Sequence, residues 1–268
     1  MIDPTYELTR VADEDSFYKK MCRKRRLYRL VGEVYVGKRA KLEYFKRWLT
    51  RISLPSNAQI LEAGSGDGVF TYFIAKKFTD ASVTGLELNQ IEAKVCQRIA
   101  AEENINNLRF EVGSLSESRW SSQFDFIFCL DVLEHISDDV TAMKEMFGAL
   151  KPKGQLLVHV PNRHIMQLSG QLVTVPDEEA WRINPGHVRN GYALEELSSK
   201  LESVGFHVKQ IEQTQSRPMA YAHSIYRKAE GMLPMRVLIL PVINILIRLD
   251  MHKKPVHGNT VWALAEKP

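Results

Sequence analysis

The sequence has little cysteine. Its 268 residues include three, Cys22, Cys96 and Cys129, an odd number and widely spaced. They make no CxxC pair and no Cys/His zinc spacing, so neither a disulfide scaffold nor a structural zinc site is expected, and a reduced, cytosolic compartment is. The N-terminal stretch MIDPTYELTRVADED is polar and acidic and lacks the apolar core of a secretory signal. The apolar run Val237–Ile247 (VLILPVINILI) is eleven residues long. It falls short of the roughly 20 that a membrane-spanning helix needs. No internal repeat and no low-complexity segment is visible. What is present is ordinary for a globular chain, with 44% hydrophobic and 25% charged residues. That is enough for one full core with an appended subdomain.

Charge is unevenly placed. The net value is only +4, yet Lys19 to Arg51 holds thirteen Lys/Arg against two acids, Glu33 and Glu43. Such a surface attracts phosphates on nucleic acid, lipid headgroups or nucleotide-linked metabolites. A solvated helical face is the equal alternative.

Hydrophobic spacing orders the rest. Residues 1 to about 15 are expected to be irregular. Three- and four-residue steps from Ser16 to Ile52 predict helices, with a break near Gly32 and Gly37. Strands are then predicted at Gln59–Glu62, Ser82–Glu87, Arg109–Val112, Phe124–Leu130 and Gln155–Val160. They alternate with helices over Val69–Phe78, Gln90–Glu103 and a segment capped by Ser137. Residues 163–190 read as loop. A helix follows at Ala193–Val204, a strand at Phe206–Glu212 and a last strand at Thr260–Ala265. This is an α/β fold: a doubly wound, mostly parallel seven-stranded sheet with helices on both faces. The expected organisation is an N-terminal helical extension or cap over 1–52 and one domain over 53–268. The latter carries a helical insertion at about 213–258, whose apolar run Pro241 should kink.

The densest signal is ILEAGSGDG at Ile60–Gly68, followed by VTGLEL at Val83–Leu88. An apolar strand runs into a glycine turn, and a second strand ends in an acid about 20 positions on, where a carboxylate can hold a ribose. Gly64, Gly66 and Gly68 make GxGxG rather than the dinucleotide fingerprint GxGxxG, since position 69 is Val.

With these residues in view, ILEAGSGDG resembles motif I of class I SAM-dependent methyltransferases (SAM, S-adenosyl-L-methionine), and VTGLEL resembles their second motif. FDFIFCLDVLEHI (124–136), LKPKGQLLVHVPN (150–162) and GHVRNGYALEELSSKLESVGF (186–206) are similar to later motifs of the small-molecule branch. The resemblance covers about Gly37 to Pro268. It implies SAM as cofactor and S-adenosyl-L-homocysteine as product. Glu87 would accept the ribose hydroxyls through charge-assisted bonds, with Leu88 beside it. Glu62, Gly64, Ser65, Gly66 and Gly68 would lie along the methionine side. Gly113, Ser114 and Leu115 would frame the adenine, although Ser114 stands where the family's usual acid would be. Leu130 and Asp131 would lie near the methionine end.

Methyl transfer from a sulfonium asks for alignment and, for a hydroxyl acceptor, a base. The candidates near the carboxyl ends of the central strands are His187, His135 and His164. Each has a purely structural role as its alternative. No metal is expected. The alternative is the D-x-x-E-H trio Asp131, Glu134 and His135, similar to divalent-cation sites of quinone-biosynthesis O-methyltransferases. Asn-Pro-Pro-aromatic is absent after the strand ending at Leu130, and no Pro-Cys dipeptide occurs. These absences argue against DNA or protein N-methylation and against cytosine C5 chemistry.

The expected partner is a small-molecule acceptor, anionic or amphiphilic, with methylation on oxygen. A metabolite, glycan or quinone- or lipid-like precursor fits. Nucleic acid is not expected. Peripheral contact with the inner membrane surface and a homodimer are further expectations, drawn from the apolar run and the basic helices. RNA or protein methylation through those helices, and SAM binding without catalysis, are the competing readings.

Overall fold

The computed structural model describes residues 13–117, 119–174, 176–180, 186–229, 231–252 and 257–268. Residues 1–12, expected to be irregular, lie outside these, as do Asn184 and Pro185 of the loop before His187. Asp13 starts α1 (Glu14–Val31) by accepting from the backbone N–H groups of Asp15 and Ser16, with two acids in the first turn. The chain breaks at Gly32 and resumes in α2 (Val36–Leu49), so Gly37 lies inside a helix rather than at the break.

The α/β core then follows in order: β1 (Gln59–Ala63), α3 (Val69–Lys77), β2 (Ser82–Glu87), α4 (Gln90–Glu102), β3 (Leu108–Val112), β4 (Phe124–Leu130), α5 (Asp139–Ala149) and β5 (Leu150–Pro161). Asp138, not Ser137, caps α5, accepting from the Thr141 N–H at 3.0 Å. Residues 163–190 are not all loop. They contain the hairpin of β6 (His164–Met166) and β7 (Leu172–Thr174). Further described elements are α6 (Leu194–Val204), β8 (His207–Thr214), α7 (Arg217–Lys228), α8 (Leu233–Leu238), α9 (Leu240–Met251) and β9 (Thr260–Glu266). The apolar run is thus split at Ile239, and Pro241 falls in the first turn of α9. Its missing N–H is harmless there, so no kink forms.

Seven strands form one sheet in the order β3-β2-β1-β4-β5-β9-β8. All neighbours are parallel except β9, which runs antiparallel to β5 and β8. The order reverses between β1 and β4, and a doubly wound sheet opens its ligand crevice at that point, beyond the carboxyl ends of the strands.

The side-chain period of two sends alternate β4 residues to opposite faces. Phe126 and Phe128 join one core with Ile60, α3 and α4; Ile127 and Cys129 join another with Leu61, Met143 and Leu197. The N-terminal helices are part of the first core. Phe45 packs on Phe128, and Trp48 stacks on Trp262 with centroids 6.1 Å apart. Removing a fully buried Trp of this kind costs about 3–5 kcal/mol. The helical insertion has its own small core, where Met219, Ala222, Ile243 and Ile247 meet Val36 and Ala40 of α2. Asp250, fully buried, anchors it by accepting from the Tyr44 hydroxyl and from the Gln215 and Ser216 backbone.

Candidate active site

The glycine turn lies where the sheet order reverses. Gly64, Gly66 and Gly68 all have positive φ, at 83°, 50° and 70°. At Gly64 an added Cβ would stand 2.5 Å from Val132 Cγ2, so the turn after β4 closes directly against this loop. At Gly66 the nearest neighbour of such an atom is 4.0 Å away, Glu92 Oε2. The backbone there faces open space, where a ligand can approach it closely.

Glu87 ends β2 beside it. Its carboxylate accepts from the Gly66 N–H at 2.6 Å and from the Asn89 N–H at 2.9 Å. A carboxylate offers about four lone-pair sites, so these two bonds orient it and leave capacity for two hydroxyls. Leu88 is exposed next to it. Glu62, at the end of β1, is buried and accepts from the Thr71 hydroxyl. Burial pushes its carboxyl well above the usual range; the Thr71 bond opposes this and the nearby Asp67 and Glu87 add to it. Ser65 Oγ is buried without a partner among the described residues.

On the other rim, Gly113 follows β3. Ser114 Oγ accepts from the Ser116 N–H at 3.1 Å, which makes the serine a turn former. Leu115 lines a narrow cleft with Leu61, Leu86, Ser114 and Trp120.

The basic helices α1 and α2 reach this site. Asp67, inside the glycine turn, pairs with Lys24 at 2.6 Å and with Lys38. Burial works against its charge, but the two ammonium groups over-ride it and hold the carboxyl below its usual range. Arg25 pairs with Glu103, and Arg47 and Arg51 with Glu212. Much of the positive block is therefore engaged within the molecule.

Lys41 is the functional candidate that sequence reasoning missed. Its ammonium, buried on α2, pairs with Asp131 just after β4. Burial lowers it to about 8, partly offset by the charge of Glu134. Asp131 holds a left-handed conformation, φ 56°, and its other oxygen meets His159 Nδ1 at 2.5 Å. Leu130, the residue before it, is buried at the end of β4.

A second polar cluster follows at once. Residues 133–135 form a 3-10 turn. His135 Nδ1 lies 2.8 Å from the Gly186 carbonyl, and its ring meets that of His187 edge-on at 4.6 Å. Among the described residues, Glu134 Oε2 and His187 Nδ1 are buried without hydrogen-bond partners. Burial pushes the Glu134 carboxyl up to about 7 against the pull of Lys41 and Arg189. Burial, with His135 beside it, lowers His187 to about 4. Glu134, His135 and His187 each place a ligand atom within 4.8 Å of the others. So His135 and His187 come together, and Glu134 joins them. Asp131 is turned to Lys41 and His159 instead. His164 sits in β6, with Nδ1 2.7 Å from the Thr174 hydroxyl.

A family model described as methyltransferase domain matches residues 54–190, just over half of the chain. The chain belongs to this family. It is a class I SAM-dependent methyltransferase by fold and motif, and the seven-stranded sheet is shared with solved relatives. Over 115 residues it is 28% identical to the ubiquinone biosynthesis O-methyltransferase of Pseudomonas fluorescens, covering 42% of this chain and 48% of that protein. This methyltransferase chain thus spans about half the length of that relative. A phosphoethanolamine N-methyltransferase 2 from Haemonchus contortus, solved with SAM, superposes with a TM-score of 0.60 at 18% identity. It covers 82% of this chain and 51% of that one. The cyclase SpnF superposes at 0.57 and 21% identity, covering 82% and 78%. Likeness at that level concerns the fold alone.

Proposed function

We propose that this methyltransferase transfers the SAM methyl group to an oxygen of a small-molecule acceptor, a metabolite, glycan or quinone- or lipid-like precursor. The observation that carries the reading is the juxtaposition of two sites. The Glu134–His135–His187 cluster follows a turn whose Val132 closes on Gly64 of the cofactor loop. SAM supplies a methyl group already activated on a sulfonium. The chain's residues have the remaining tasks of orientation and proton removal. Glu87 holds the ribose, with Leu88 beside it. Gly64, Ser65, Gly66 and Gly68 shape the backbone cradle, and Gly113, Ser114 and Leu115 frame the adenine. Leu130 and Asp131 lie at the methionine end. Glu62 is a buried carboxyl with no ion-pair partner among the described residues, suited to a cationic methionine amine.

Burial keeps His187 uncharged near neutrality, so its imidazole can accept a hydroxyl proton. The unpartnered atoms of Glu134 and His187 favour a second reading of the same cluster. There a divalent cation on Glu134, His135 and His187 would lower the acceptor hydroxyl's pKa. On this proposal residues 1–52 cap the site and 53–268 form the methyltransferase domain. No described helix is long and apolar enough to cross a membrane. A cytoplasmic enzyme is the reading we adopt.

RNA methylation is the weaker alternative, because at least eight of the thirteen Lys/Arg from Lys19 to Arg51 bond within the molecule. The deciding experiment measures S-adenosyl-L-homocysteine release from SAM across hydroxyl-bearing acceptors, with and without added Mg2+ or Zn2+. Turnover with a small hydroxylated acceptor supports the proposal. Tight SAM binding with turnover on RNA alone, or on nothing, overturns it.

A further inference from the structure

The insertion leaves an apolar face that no other part of the described chain covers. On α8 and α9, Leu240, Ile243 and Ile247 point inward and are buried. Leu238, Val242, Ile245 and Leu249 are 71%, 48%, 57% and 51% exposed. At about 100° per residue, the three in α9 fall within roughly 60° of one another on the helix surface. A helix apolar on both sides is normally buried on both. Here one side is bare, and a contiguous exposed apolar face marks an interaction site.

Charge says what covers it. Arg248 is exposed at the flank of this face, one position before Leu249, and Arg227 and Lys228 are exposed at the end of α7, just before α8 begins. The described acid of the insertion, Asp250, is fully buried under Tyr44 and Ser216. The sequence between Arg217 and His252 has one other, Glu230. A second copy docked face to face would set these cations against their own equivalents, which disfavours a symmetric dimer. An anionic surface with an apolar layer beneath it matches both features.

We propose that α8 and α9 dock this methyltransferase onto an anionic lipid bilayer. The apolar ridge sits in the headgroup boundary, and the flanking cations meet lipid phosphates. At 12 residues, α9 is about 18 Å long, against a hydrocarbon layer of about 30 Å, so it lies in the surface and does not span it. The inference rests on the insertion alone and holds whatever the acceptor is.

The test is co-sedimentation of the full chain with vesicles of phosphatidylcholine, alone or mixed with phosphatidylglycerol. Binding is expected on the mixed vesicles only, and to weaken as salt is added. Ile245→Asp with Leu249→Asp should abolish it. Lys228→Glu with Arg248→Glu should weaken it at least about tenfold, and reads the charge half alone if the first pair fails to fold. Equal binding to neutral and mixed vesicles, or none to either, overturns the proposal. So does light scattering that shows a dimer which the Asp pair converts to monomers, since that assigns the face to a second copy.

Discussion

Lys41 of α2 forms an ion pair with Asp131, the residue that leaves β4 in a left-handed conformation beside the candidate active site. One bond ties the N-terminal helices to the strand end where the sheet order reverses. Burial lowers Lys41 from 10.5 to about 8. Between these values the unfolded chain binds the proton and the folded chain releases it, so stability rises with pH across that window. The gain is at most about 3 kcal/mol. Urea unfolding from pH 7.5 to 10.5 should show this slope, and Lys41→Met should flatten it. Turnover in that variant should fall more than its SAM affinity.

Glu87→Gln keeps the side chain's shape but removes its charge. Each hydrogen bond to a charged group contributes about 1.5–3 kcal/mol. SAM affinity by calorimetry should therefore drop about a hundredfold or more, with a thermal midpoint close to that of the parent. An unchanged affinity would sink the ribose assignment.

Burial pushes the Glu62 carboxyl well above its usual range in the free protein. A cationic amine arriving beside it would favour the carboxylate, so its proton should leave on binding. Calorimetry in buffers of different ionisation enthalpy should show release of up to one proton, and SAM affinity should climb as pH rises toward the free carboxyl's pKa. Glu62→Gln should abolish the release. A proton count of zero in the parent would contradict this account.

His187→Ala separates the readings of the polar cluster. As a base, His187 contributes about a hundredfold or more to turnover, and its loss should leave SAM affinity nearly intact. If a cation acts instead, chelator should stop the parent enzyme, added Mg2+ or Zn2+ should restore it, and Glu134→Gln should remove that response. Full turnover in His187→Ala would make the residue structural.

The cofactor cradle was legible in the sequence because its parts are local. A strand, a glycine turn and the acid ending the next strand lie within one βαβ unit, and backbone geometry alone brings Gly66 to Glu87. The motif spacing likewise announced the seven strands. The hairpin of β6 and β7 is not legible there, because its three-residue strands are too short for a period to show. The capping of α5 by Asp138 rather than Ser137 was a choice between adjacent polar residues that periodicity cannot make.

Chain order and composition by themselves determined the sheet, its winding and the family, since hydrophobic period and glycine placement are properties of neighbouring residues. The tertiary structure decided which charges meet. Lys41 and Asp131 are 90 positions apart, and nothing in either neighbourhood marks the other. His187 meets His135 and Glu134 only in the folded chain, where Gly186 and Val188 bond to the turn after β4. The basic block from Lys19 to Arg51 reads as a surface, yet packing sets six of its thirteen cations on Asp67, Asp131, Glu103 and Glu212. Long-range electrostatics depends on distance and burial, and both exist only in the folded chain.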